Sequence, residues 1–513
     1  MNWIDRSEKY TLRDNASGFA ISFAGMNFQD SDLTAMAPAF ARAASEMKNL
    51  EAGAIKNPDE QRKVTHFTDR ISYPESAEFQ EVEAFAASVR AEGKFDAVVV
   101  NGIGGSALGP QLMQFAINGP YWNELSREQR KNGLKIYFLD NTDSAGFADL
   151  LAVMVPEKTL HLVISKSGGT QETRNNMVAM EDFYAARGLK FGDHACAVTM
   201  QGSLLYKHAQ EANYLKIFNM ADSVGGRTSE TAIVGHLPAA LTGVDFKTFL
   251  AGACAMDAWT RNDDYTANPA MFLAAMWYIA GNHRGDRNMV IVPYSDRLVL
   301  LSRYLQQLVM ESLGKELDLD GNVVHQGLNV FGNKGGTDAH AFIQQLNDGR
   351  DDFFATFIEV QKDAAKLPVD GNTAMGDYLH GFFEGLCAAL RNKGRQIITI
   401  TIPQITVFEL GQIIALYERA VAIYAEFINI NAFHQPGVQA YKLAAKDALA
   451  LRSELLAAIA ANPGFSGSAA DFAKLAKRDA DVVEISGILN RAAVNGEYVS
   501  RQDVNGNWVY TVK

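Results

Sequence analysis

The sequence predicts an α/β protein with two doubly wound domains in tandem, flanked by helical segments. Three observations predict it. Short, uninterrupted apolar runs recur at 95–100, 135–139, 160–164, 195–199 and 215–218, and a second series follows at 289–293, 323–330, 353–360 and 396–402. Strands buried on both faces of a parallel sheet read this way, whereas one-sided strands alternate apolar with polar. Helix-length segments separate the runs, which is the alternation of a doubly wound α/β/α layer. At 513 residues the chain is also too long for one core.

Along the chain, residues 1–93 read as a helical lead-in, with helical patterns at 31–47 and 77–90. Residues 94–245 form the first α/β domain. Residues 246–430 form the second, opened by a helical stretch at 269–279. No residue-level repeat links the two domains, so only their architecture is alike. Residues 431–513 hold a long amphipathic helix after Pro436 and a terminal hairpin at 498–512 that turns at Asn505-Gly506.

A net charge of −12 opposes a nucleic acid or an anionic membrane as partner. It does not oppose a small anion, because a few local cations and oriented backbone N–H groups suffice to hold one. The cysteines, Cys196, Cys254 and Cys387, are far apart and form no C-x-x-C pair. A disulfide framework and a thiolate metal site are therefore not expected, and a reducing compartment fits. The first residues lack the apolar run of a signal peptide, and no charge-free apolar stretch reaches roughly 20 residues. The expectation is a cytoplasmic protein.

Six segments carry chemistry. The first apolar run ends in Asn101-Gly102-Ile103-Gly104-Gly105-Ser106-Ala107, where glycines let the backbone turn sharply at the carboxyl edge of a sheet. Gly102-x-Gly104-x-x-Ala107 also meets the permissive dinucleotide fingerprint, but the next strand-ending acid, Asp140, is much farther on than the roughly 20 residues that fingerprint wants. The second segment, Ser165-Lys166-Ser167-Gly168-Gly169-Thr170, precedes a helix opened by Gln171-Glu172-Thr173. Three hydroxyls and an ammonium at a helix N-terminus suit a phosphate dianion; a plain Ser/Thr N-cap would explain only part of the cluster.

Gly225-Gly226-Arg227 presents a fork of donors beside flexible backbone, suited to an anion formed during reaction or, more plainly, to a solvent-facing turn. Gln307 and Glu311 lie in an apolar stretch, where a carboxylate is a candidate general base; read alone, Glu311 fits a helix surface better. Gly335-Gly336-Thr337-Asp338-Ala339-His340 delivers one imidazole, with no second metal ligand at a useful spacing. Last, Pro436 suits the first position of a helix, which makes Gln435 the N-cap and sets Lys442 nearly two turns on along the same side.

In this order and together, the six segments resemble the glucose-6-phosphate isomerase (phosphoglucose isomerase) family, over about residues 95–442. The resemblance implies two sugar-isomerase (SIS-type) domains and no metal or cofactor. It also implies a homodimer with shared active sites that interconverts glucose 6-phosphate and fructose 6-phosphate through a cis-enediol(ate). Ser106, Ser165, Lys166, Ser167 and Thr170 match phosphate- and sugar-binding positions, and Gln307 and Gln435 match substrate-contacting amides. Glu311 matches the base that moves a proton between C1 and C2, and Arg227 the cation beside the enediolate. His340, from the neighbouring subunit, and Lys442 match the ring-opening groups. Glu172 matches a partner that orients the histidine, and Gly104 and Gly105 match supporting positions. Thr228, His434, Gln439 and Gly169 depart from the family pattern, which bears on sugar selectivity but removes no catalytic group. Three alternatives remain: an isomerase that also accepts mannose 6-phosphate, a non-catalytic sugar-phosphate sensor, and a nicotinamide-dependent oxidoreductase using Gly102 to Ala107.

Overall fold

A computed structural model describes residues 2–56 and 61–513, apart from the side chains of Gln439 and Tyr441. The chain divides into two compact units, Met1–His434 and Gln435–Lys513. In chain order the first unit contains a hairpin of β1 (Thr11–Asp14) and β2 (Phe19–Ser22). Five strands follow: β3 (Ala97–Asn101), β4 (Lys135–Leu139), β5 (Thr159–Ile164), β6 (Ala195–Thr199) and β7 (Lys216–Asn219). The next are β8 (Asn288–Pro293), a small pair β9 (Lys315–Leu317) and β10 (Val323–Gln326), then β11 (Val330–Phe331) and β12 (Phe353–Val360). A second small pair, β13 (Pro368–Asp370) and β14 (Thr373–Ala374), precedes β15 (Gln396–Ile402).

The first sheet is wholly parallel, in the order β4-β3-β5-β6-β7. Both of its faces are dry, which is why its strands read as unbroken apolar runs. Val98, Val100, Leu160, Leu162 and Val198 pack with the helices Ala77–Glu92 and Ile233–Thr242, while the intervening Val99, Val163, Ala195 and Ala197 pack toward Leu150, Met177 and Tyr184. The chain runs from β3 outward to β4 and then returns past β3 to β5, so the order reverses between β3 and β5. The loops leaving these two strands at their carboxyl ends flank that switch point, where ligands of open α/β sheets bind.

The second sheet has the order β1-β2-β15-β12-β8-β11; its last four strands are parallel and the hairpin adds antiparallel at β15. The predicted fold class, α/β with mainly parallel sheets, is what is found. Two readings are corrected. Residues 1–93 are not a helical lead-in alone: beside helices such as Ala37–Glu51, they supply β1 and β2 to the second sheet. Strands of four residues offer too few repeats for a period to register. The stretch 323–330 is not one strand either. Val323–Gln326 pairs with β9, and only Val330–Phe331 joins the sheet. Gly327 separates them, its carbonyl 1.8 Å from where a Cβ on Gly285 would lie.

The unit's largest core is centred on the helix Val407–Phe427, buried along nearly its whole length against Phe246–Thr260 and Pro269–Ala280. The second unit has its own core. Leu451, Leu455, Phe472, Ile485, Leu489 and Tyr510 gather the helices Pro436–Ala460 and Val482–Val494 against a sheet of β16 (Ser466–Gly467), β18 (Asn507–Val512) and β17 (Val499–Val504). Its hairpin turns at Asn505 and Gly506, both with φ positive (56° and 81°), as a two-residue turn of this kind requires. Among the described residues, no helix is long and apolar enough to cross a membrane.

Candidate active site

The loop after β5 folds around its own hydroxyls. Gly168 N–H donates to Ser165 Oγ (3.1 Å), Gly169 N–H donates to Ser167 Oγ (3.2 Å), and Ser165 Oγ donates to Thr170 Oγ1 (3.3 Å). Thr170 is the N-cap of the helix Gln171–Ala185, yet its side chain makes no capping bond, so the first-turn N–H groups of that helix keep their donors for another acceptor. Gly168 is required: its φ is 72°, and a Cβ would lie 2.2 Å from the backbone nitrogen of Leu205. Gly169 is not, since a Cβ there meets only Ser167 Oγ at 3.5 Å. Lys166 reaches out of this loop and ties it to the next segment, donating to the carbonyls of Asp222 and Val224 and pairing with the Asp222 carboxylate at 3.1 Å.

The loop after β3 meets that same segment. Gly104 takes φ 57° and begins the helix Gly105–Ile117, whose second residue is Ser106. A Cβ on Gly105 would sit 1.7 Å from the carbonyl oxygen of Gly226. The expected close backbone approach is therefore real, but the partner is the Arg227 turn. A dinucleotide pyrophosphate has no room at that glycine. Gly104 faces Gln307, whose amide nitrogen lies 2.9 Å from where a Cβ would be.

Arg227, Gln307 and Glu311 converge here. Arg227 sits in the short helical turn Gly226–Thr231 and is buried. Its Nη1 pairs with Glu311 Oε2 at 2.8 Å, and its Nη2 donates to the carbonyls of Ala432 (3.0 Å) and His434 (3.2 Å). The planar guanidinium is thus fixed from both sides. Gln307 Nε2 donates to the same carboxylate oxygen of Glu311 at 3.3 Å. Both residues ride on a π-helical turn, Gln306–Glu311, that continues the helix Leu301–Leu305. A π-turn widens the helix locally and is a feature that recurs at functional sites. Here it sets Gln307 and Glu311, four apart, against one another. The Glu311 side chain is partly accessible.

Sequence reasoning missed the layer around these groups. Lys315 is buried, and burial first and Arg227 second lower its pKa to about 7, against the opposing pull of Glu311. Glu230, three residues beyond Arg227, has both carboxylate oxygens buried without a hydrogen-bond partner among the described residues; burial, then the neighbouring Glu418, holds its pKa well above the usual range. Arg70 pairs with Asp257 (2.7 Å) and Glu418 (2.8 Å), and Arg419 pairs with Asp257 (3.0 Å). These charges come from helices far apart in sequence, so no local pattern announces them. For Glu230 a signal existed: Gly109 and Gly235, whose absent Cβ atoms leave its side chain room.

The remaining expected site residues stand on other turns and helices. His340 ends the turn Thr337–His340, exposed, and among the described residues it makes no ion pair with Glu172 or Glu311. Glu172 stands in the first turn of its helix, half-buried. Gln435 is the N-cap expected, with Pro436 next, and Lys442 is exposed on that helix; both belong to the second unit. The side chain of Gln439 lies outside the described residues.

The phosphoglucose isomerase family profile matches residues 58–391 and 383–457. A glucose-6-phosphate isomerase of Geobacter sulfurreducens is 46% identical, over 96% of this chain and 95% of its own. One from Cyanothece is 46% identical, over 87% and 86%. The crystal structure of a glucose-6-phosphate isomerase from Chlamydia trachomatis superposes with a TM-score of 0.79 at 27% identity, covering 88% of this chain and 91% of that one.

Proposed function

The chain belongs to the phosphoglucose isomerase family, and on that premise we propose which of its residues carry the reaction. It is an aldose–ketose isomerase that interconverts glucose 6-phosphate and fructose 6-phosphate. The observation that carries the assignment is the meeting of Glu311, Gln307 and Arg227 beside the hydroxyl loop at the switch point of the first sheet.

In this reading the phosphate binds at Ser165, Lys166, Ser167 and Thr170, with the N-terminus of Gln171–Ala185 supplying amides and dipole. Ser106 holds sugar hydroxyls, and Gly104 and Gly105 let its helix start close to Arg227. The fixed phosphate orients C1 and C2 at the other end of the sugar, so binding energy far from the reaction lowers its barrier. His340 and Lys442 open the ring by moving a proton between O1 and O5, with Glu172 orienting the imidazole and Gln435 holding substrate. Glu311 removes the proton from C2 of the open aldose; its electron pair forms the C1=C2 bond while the carbonyl oxygen takes up negative charge, facing Arg227. The hydroxyl proton on O2 then passes to O1, the same carboxyl returns its proton to C1 as the electrons on O2 form the C2=O bond, and fructose 6-phosphate results.

We propose further that the enzyme works as a homodimer with His340 supplied across the interface. The exposure of His340 supports this, as does an uncovered apolar face: Met375, Tyr378 and Phe382 on the helix Met375–Asn392, with Leu367 and Val369 beside them. A contiguous exposed face of large apolar side chains suits association. The divisions 94–245 and 246–430 remain the proposed sugar-isomerase domains. The proposed compartment is the cytoplasm, which the free thiols of all three cysteines support.

Incubation with glucose 6-phosphate in deuterated water, with EDTA and without nicotinamide, tests the reaction. Fructose 6-phosphate carrying deuterium at C1 is expected, because a proton held on a partly accessible carboxyl exchanges with solvent. Absence of both turnover and exchange contradicts it.

A further inference from the structure

Lys315 has no part in the assignments above, yet its surroundings are unlike those of an ordinary lysine. Its side chain is 4% exposed. Its Nζ donates to three backbone carbonyls: those of Glu311 (2.8 Å), Ser312 (2.6 Å) and, more weakly, Gly314 (3.4 Å). The first two belong to the end of the helical run that contains the π-turn, where carbonyls have no amide partners further on. Gly314 allows the chain to leave so tightly, since a Cβ there would lie 2.8 Å from the carbonyl of Met310. An ammonium has three donors, and here each has an acceptor. The bland account is a helix C-cap. Caps of that kind normally keep the charge in water, because burying an ammonium is costly. This one is buried and is electrostatically coupled to both Arg227 and Glu311.

We propose that Lys315 is a positioning residue for the isomerisation: by binding the carbonyl of Glu311 and those that follow, it locks the end of the π-turn from which the Glu311 carboxylate projects. The inference rests on Glu311 being the base. A base that serves two adjacent carbons must stay within reach of both while the sugar is held at its phosphate, and a misplacement of about 1 Å costs on the order of 10²-fold in rate. The π-turn is the least regular part of its helix, with no other side chain among the described residues bonded to the Glu311 carbonyl. Lys315 removes that freedom.

Lys315→Met keeps length and flexibility while removing charge and donors. The expected result is a kcat lower by roughly 10²-fold, with KM and the Kd for glucitol 6-phosphate, a hexitol phosphate that can neither close nor isomerise, within about threefold. Lys315→Arg restores donors and charge and is expected to regain kcat to within about tenfold of the parent, short of full recovery because the planar fork fits three carbonyls less well. An unchanged kcat in Lys315→Met, or a loss of kcat matched by loss of glucitol 6-phosphate binding, overturns the proposal. Glu311→Gln measured alongside separates the two layers. If it stays active, the base assignment fails; if it is inactive while Lys315→Met is fully active, only the role of Lys315 fails.

Discussion

The carboxyl edges of the parallel strands in the two sheets have opposite chemistry. At the first, glycines, hydroxyls, Lys166 and a helix N-terminus surround the switch point. At the second, a cavity of about 320 Å³ is lined by Glu359, Asp363 and Asp377, with His380 paired to Glu359 at 3.3 Å. Three carboxylates repel a phosphate dianion, which favours the first edge for the proposed sugar-phosphate site. The second sheet contributes through the helix that follows β8, whose π-turn brings Glu311 to Arg227. A fold decides where ligands can sit; the loop chemistry decides which one does.

Arg227→Lys strikes the meeting point of the two halves. An ammonium cannot span Glu311 and two carbonyls in one plane, and kcat/KM for glucose 6-phosphate should fall by roughly 10²- to 10³-fold. Ser165→Ala and Thr170→Ala should each raise KM about tenfold with little change in kcat, the mark of a lost bond to a charged group in ground and transition states alike. Asp363→Asn in the acidic cavity should move KM by less than about twofold, its charge being exposed and screened. A large effect there would break the contrast between the edges.

The least effect is on stability. His161 lies within β5, and burial, helped by His194, lowers its pKa to about 3. On unfolding the imidazole recovers a pKa near 6.5, so between about pH 6.5 and 3 the unfolded chain binds a proton the folded chain excludes. Stability therefore falls as pH drops through that window, by up to about 1.4 kcal/mol per pH unit from this group. Denaturant titrations from pH 6 to 4 should show a shallower decline in His161→Gln.

Much of this was legible in the residues themselves. Runs such as 95–100 and 160–164 announced a doubly wound layer because both sheet faces are dry, and Ser165 to Thr170 announced the helix start that follows at Gln171. Glu311 was harder: one carboxylate in an apolar stretch looks like a surface residue until the π-turn and Arg227 are seen beside it. The Gly105 contact with Gly226, the buried Glu230 and the Lys315 clamp join segments far apart in sequence or turn on local geometry that no periodicity reports. The β1–β2 hairpin was hidden by its brevity.

In the proposed mechanism the carboxylate fixed by Arg227 and Gln307 moves the proton between C1 and C2. The most direct test of that step is the rate of deuterium entry at C1 of fructose 6-phosphate catalysed by Glu311→Gln in deuterated water, at saturating substrate. The expected result is a fall of about 10³-fold or more with glucitol 6-phosphate binding retained. Exchange at the parent rate would contradict it.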